Sequence, residues 1–252
     1  MTTARTTKAP MDATRKAALA AGLFYIGTFV FSIPALGLYD GVVNDANFVL
    51  GSGSDQGVLW GALIEVLTAL TGIGTAVAVY PVIKRYGPGR AVGFVASRTL
   101  EAAMIFTGVI AVLAVFTLRQ DFGGADHAVL TTTASALVAI KDWTFLLGPG
   151  VMAAVNALCF ATILYRSGLV PRWMPTVGLI GAPLLLASGT ATLFGAFDQV
   201  SSAGLFMALP IATWEFSVGV YMTFKGFRTP AATEHDGATA PAAPVPAALV
   251  QA

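Results

Sequence analysis

Glu65, Arg98, Glu101 and Glu215 lie inside long hydrophobic runs, where charge is least expected. Each would cost about 2.5 to 3.5 kcal/mol at the centre of a membrane helix even on a lenient insertion scale, so such groups turn inward and find partners. Arg98 and Glu101 are three residues apart, nearly one helical turn, so they share a face and can pair. At about 1.5 Å per residue, Arg98 lies about 10 Å inside the run that starts at Ala91, and Glu101 near its middle. Glu65 falls in the outer third of its run and Glu215 near the middle of its own. One arginine against three glutamates leaves two carboxylates without a cation, unless Lys141 at the outer boundary of another run reaches Glu65. Such a set can take up a proton, a cation or a small molecule bearing an amine. It can equally be structural, locking helices together by hydrogen bonds. Asn156, Lys141 and Asp142 are secondary members of the candidate site.

Other chemistry finds little support. The chain contains no His-Glu-x-x-His, Gly-x-Ser-x-Gly or phosphate-binding glycine loop, and no nucleophile stands beside a base, so an enzyme is not expected. Cys159 is the only cysteine, which excludes an intrachain disulfide and any cysteine-based metal site. His127 and His235 both fall in polar segments, so no helical histidine pair exists to hold a haem. Asp121, Asp126, Asp142 and His127 could approach a metal, but Gly123-Gly124 reads as an ordinary flexible loop. Neither a metal nor another cofactor is expected. The 14 basic and 13 acidic residues nearly cancel, leaving no basic field for nucleic acid.

The elements that must position these charges follow from hydropathy. Of 252 residues, 56% are hydrophobic and only 11% charged, against about 25% charged in soluble domains, so the lipid bilayer is the main solvent. Six apolar runs read as membrane helices at residues 17–39, 58–83, 91–118, 143–166, 176–197 and 205–224. The first is longer than a signal-peptide core and five more follow it, so it reads as uncleaved. Residues 134–142 read as an interfacial segment ahead of the fourth helix, and Gly148-Pro149-Gly150 as a kink or break in it. Pro34 can bend the first helix.

With the N-terminus inside, 11 lysines and arginines are cytoplasmic and only Arg119 and Lys141 external, which sets the orientation. The expected fold is an all-α polytopic transmembrane bundle of six helices with both termini cytoplasmic. It comprises a polar N-terminus at residues 1–16, a membrane domain at 17–228 and a disordered Ala/Pro-rich tail at 229–252.

Several stretches carry a family resemblance: Leu63-Ile64-Glu65-Val66, Arg98-Thr99-Leu100-Glu101, the turn Leu164-Tyr165-Arg166-Ser167-Gly168-Leu169-Val170-Pro171-Arg172-Trp173-Met174, and Trp214-Glu215-Phe216 with Lys225-Gly226-Phe227. Together they resemble the six-helix bacterial integral membrane proteins of the domain-of-unknown-function family numbered 4386. The resemblance covers about residues 15–228 and implies a multi-pass protein of the bacterial inner membrane with no assigned activity. Two functions remain open. One handles a proton, a cation or a small molecule at the Glu/Arg cluster. The other is a non-catalytic component that associates with membrane-protein partners, or with copies of itself, through small-residue faces such as Gly72-x-x-x-Ala76 and Gly150-x-x-x-Ala154. A cavity reaching the charges favours the first and a packed centre the second.

Overall fold

The computed structural model describes residues 11–228, and every regular element among them is helical. Six helices are long and apolar enough to cross a membrane: α1 Ala13–Asn44, α2 Asp55–Ile83, α3 Pro88–Asp121, α4 His127–Ser167, α5 Trp173–Leu193 and α6 Ser202–Phe224. Consecutive helices are neighbours, and α1 also packs on α6, so the bundle closes into a ring in chain order. The expectations for residues 1–10 and for the tail at 229–252 lie outside the described residues.

Local chemistry starts and stops these helices. Ser54, Asp126 and Ser201 each accept a backbone N–H of the following first turn and so cap α2, α4 and α6. Pro88 opens α3, where its missing N–H costs nothing. Gly168, at φ 66°, closes α4 with its N–H on the Leu164 carbonyl, a left-handed position that other residues adopt at a cost.

The ring has two distinguishable ends. On the near face, where the described chain begins and ends, Arg15 of α1 donates to the carbonyls of Met222 and Thr223 at 2.9 and 2.7 Å, capping α6. On the far face, Arg119 at the end of α3 gathers the loop between α1 and α2. Its guanidinium donates to the carbonyls of Phe48 and Ser52, pairs with Asp55 at 3.0 Å and lies 4.5 Å from the Phe48 ring centre.

Glycines set the closest helix contacts. A Cβ on Gly22 would stand 2.4 Å from Thr223 Oγ1 and 2.5 Å from Thr223 N, and one on Gly219 would stand 2.8 Å from the Tyr25 Cβ. The α1–α6 seam that closes the ring therefore exists only because both positions lack side chains. Lipid tails supply no hydrophobic drive between helices, so such close packing carries much of the association.

Helix α4 departs most from expectation. Residues 134–142 are not separate from the fourth helix, which does not start at Trp143. It begins at His127 and continues for 41 residues, about twice what a 30 Å hydrocarbon layer needs. Its first half holds because Leu130 and Ala134 are buried against Tyr39, Phe48, Val58, Val112 and Val115 at the far face. The anticipated break at Gly148-Pro149-Gly150 is a π-helical stretch, Leu146–Met152, within the continuous helix. A wider turn accommodates a proline that lacks an N–H and needs ring space. Helix α1 likewise stays continuous through Pro34.

Candidate functional site: two buried charge centres

Position along α3 decides which charges meet. Gly148, inside the π-helical stretch of α4, lets that helix approach so closely that a Cβ there would lie 2.8 Å from the Met104 Cβ and 3.5 Å from the Glu101 carbonyl oxygen. Gly108 does the same two turns further along, where a Cβ would meet Thr144 Oγ1 at 2.8 Å and Lys141 Cδ at 3.0 Å. These notches put Gly148 at the level of Glu101 and set Lys141 about 10 Å further towards the far face, seven residues at 1.5 Å each.

The deeper centre is built on Arg98, which is 2% exposed. Its Nη1 donates to Glu101 Oε2 at 3.0 Å and its Nη2 donates to Glu215 Oε1 on α6. Asn156 Nδ2 donates to the same Glu101 oxygen at 2.5 Å. The guanidinium carbon lies 5.2 Å from the Tyr25 ring centre and 5.8 Å from that of Phe94, distances at which the faces of aromatic rings attract a cation. Those rings belong to a buried aromatic group. Phe160 stacks on Phe94 at 4.7 Å, on Tyr25 at 6.3 Å, and leans on Trp214 at 6.1 Å. Arg98 of α3 thus ties α1, α4 and α6 together at the centre of the ring.

The second centre lies nearer the far face. Lys141 Nζ donates to Glu65 Oε1 at 2.5 Å, with the Tyr39 ring centre 5.0 Å from the ammonium. Lys141 is 7% exposed and Glu65 8%, so the pair anticipated between them forms and is buried within the bundle. The sequence-derived set is therefore divided: Arg98, Glu101, Glu215 and Asn156 form one node, while Glu65 belongs with Lys141. Two cations face three carboxylates, so the buried set keeps one excess negative charge if all are ionised.

A cavity of about 600 Å³ opens against this second centre. Lys141 and Tyr39 line its inner wall, Asp142 and Trp143 continue it along α4, Asp40 and Asn44 come from the end of α1, and Thr192, Asp198 and Gln199 from the α5–α6 side. Among the described residues the Tyr39 hydroxyl, Glu65 Oε2 and Thr192 Oγ1 are buried here without hydrogen-bond partners, as are Arg98 Nε, Asn156 Oδ1 and Trp214 Nε1 at the deeper node. Sequence reasoning missed Tyr39 and Thr192 here, and Tyr25, Phe94, Phe160 and Trp214 at the deeper node. No single-residue signal distinguishes them from other aromatic or hydroxyl side chains in apolar helices. Asp142, a secondary candidate, is on the cavity wall. The small-residue faces Gly72–Ala76 and Gly150–Ala154 are buried inside the bundle.

Six apolar helices around paired internal charges define a multi-pass integral membrane protein. The chain belongs to the family described as "Domain of unknown function (DUF4386)", whose model matches residues 20–226. No curated protein and no solved structure matches it.

Proposed function

We propose that this protein binds a small molecule or cation in the far-face cavity, that the Lys141–Glu65 pair at its inner wall is the responsive element, and that the Arg98 node is the structural tie. One observation carries the reading: Lys141 both lines a cavity of about 600 Å³ and holds a buried carboxylate. Cavities of about 300 to 1,000 Å³ with a few convergent polar groups are the usual form of small-molecule sites. The Arg98 node favours a structural role, because each guanidinium nitrogen that faces a carboxylate already has one and the aromatic faces close around the rest. With both termini cytoplasmic, as the Lys/Arg distribution implies, the cavity opens to the cell exterior.

Reading the protein instead as a component held by other membrane proteins loses its best sequence support, since the small-residue faces are buried inside the bundle. A thermal-shift screen of the purified protein across inorganic cations, amines, carboxylates and zwitterions tests the proposal. A stabilising compound whose effect disappears in Thr192→Leu supports it. If no class stabilises, or if every effect persists in that variant, the cavity is not a binding site.

A further inference from the structure

We propose that the occupant of this cavity is an amphipathic organic cation, a protonated amine on a compact apolar body. The inference rests on the cavity being a binding site at all, and adds the chemistry of its ligand.

Charge is the first argument. Asp40, Asp142 and Asp198 line the cavity from three different parts of the chain, while its one cation, Lys141, is already held by Glu65. The lining therefore presents uncompensated negative charge. Second, these carboxylates are dispersed: among the described residues no three acidic, histidine or cysteine side chains come close enough to hold a metal ion. A small hard cation needs converging oxygens, whereas a larger organic cation can answer carboxylates spread around a wall. Third, Tyr39, Trp143, Phe145 and Phe197 also line the cavity, and aromatic faces attract organic ammonium groups.

The polar inner wall adds an observation independent of the acids. Tyr39 is 3% exposed and lines the cavity, and its hydroxyl stands beside the Glu65 carboxylate without accepting a hydrogen bond from any described residue. Even with its proton turned to Glu65, the oxygen keeps an unfilled acceptor position, which is costly when buried and which a ligand N–H can fill. Finally, the cavity has an apolar extension. A space of about 160 Å³ shares Leu36, Leu146 and Thr192 with it and continues between Leu185, Leu205 and Ala208 beside the π-helical stretch. A wholly hydrophilic ligand would leave that end unfilled, whereas an apolar body fills it.

The test uses three probes built on one cage: 1-adamantylamine, 1-adamantanol and 1-adamantanecarboxylate. Binding is measured by equilibrium dialysis to the full chain in nanodiscs, with empty nanodiscs subtracted. The amine is expected to bind saturably and at least about tenfold more tightly than the alcohol or the carboxylate, a difference of about 1.4 kcal/mol. That preference should vanish in the triple variant Asp40→Asn, Asp142→Asn and Asp198→Asn, three exposed positions where the change leaves packing intact. Ala208→Phe, which fills the apolar end, should weaken all three probes alike. Equal or tighter binding of the carboxylate overturns the cation assignment while leaving the cavity a binding site. Saturable binding of none of them overturns the inference, and the thermal-shift screen then decides separately whether the cavity binds anything. A preference for the amine that survives the triple asparagine variant overturns it as well, because the charge would then be read elsewhere.

Discussion

Removing Arg98 should cost more than removing either acid it binds, and the two acids should not suffer equally. Arg98→Leu abolishes two charge-assisted hydrogen bonds, each worth about 1.5 to 3 kcal/mol in soluble proteins. Stripping one partner from a buried pair costs about 3 to 5 kcal/mol in that setting, and interactions inside membranes are often weaker, averaging about 0.6 kcal/mol in one well-studied bundle. A loss of about 2 to 4 kcal/mol is the expected outcome. After the substitution Glu101 still receives Asn156, while Glu215 has no other side-chain donor among the described residues. The stranded group is therefore Glu215. Adding Glu215→Leu to Arg98→Leu should restore more stability than adding Glu101→Leu, which also strips Asn156 of its acceptor. The assay is reversible unfolding in mixed micelles for the wild type, the three single variants and the two doubles. Strict additivity in both doubles would refute the coupling, and a larger rescue by Glu101→Leu would refute the assignment of the stranded acid.

Four further outcomes follow from the same geometry. Gly22→Ala should destabilise by at least about 1 to 3 kcal/mol through overpacking, because its Cβ meets Thr223 backbone at 2.5 Å. Gly37→Ala in the same helix, with nothing within 4 Å, should be neutral or stabilising in the same unfolding assay. At the far-face loop, the Ser52 hydroxyl and the Asn47 amide hold the Asp45 carboxyl below its ordinary value of 3.8. The folded value being the lower one, the contribution of Asp45 is complete above 3.8 and disappears as the pH falls through the lowered value; exchange protection of the Asn47 amide should decline there, and Asp45→Asn should remove that pH dependence. A cysteine at Ser167 in a Cys159→Ala background should resist impermeant maleimide in intact cells and react once the membrane is opened; labelling in intact cells would reverse the orientation. Lys141→Met should destabilise more than Lys141→Met with Glu65→Gln, since the second change removes the charge that the first leaves buried, and equal losses in a thermal-unfolding series would show that the pair is not coupled.

Residues as different as Arg98 and Lys141 show where sequence reasoning works. The six helices were legible because bilayer solvation demands long apolar runs irrespective of periodicity. Arg98–Glu101 was legible because three residues make nearly a helical turn. Glu215 is 117 residues from Arg98, and nothing local says which helix face meets which. Lys141 reads as a boundary residue because the polar stretch Gln120 to Thr133, with Thr131-Thr132-Thr133, precedes it and the fourth apolar run opens only at Trp143. In the structure several of these threonine hydroxyls return to carbonyls one turn back, as Thr131 to His127 at 2.9 Å and Thr133 to Val129 at 2.8 Å. A side chain satisfied by its own helix carries less penalty in apolar surroundings, so the helix extends through this stretch and carries Lys141 against Glu65. The aromatic group around Phe160 was invisible for another reason: every helix offers aromatics, and only the crossing geometry selects four of them.

Depth explains why the two centres suit different work. An ion pair at the middle of a bundle is remote from water on both sides, so any exchange of partners requires a charge to cross an unpaired state that the apolar surroundings penalise. Arg98 is protected against that by redundancy: it has two carboxylates and two aromatic faces, and one of its acids has a second donor. Such a node resists change. Lys141 has one carboxylate, and it borders a cavity. Under the proposed binding, a cation arriving there would approach the Tyr39 hydroxyl, shift the field on the ammonium and change its hold on Glu65 without exposing a bare charge to lipid. Helix α4 carries both Lys141 and, beyond the π-helical stretch, Asn156 on Glu101. The two centres thus share one helix on either side of a π-helical stretch, an interruption frequently found at functional sites.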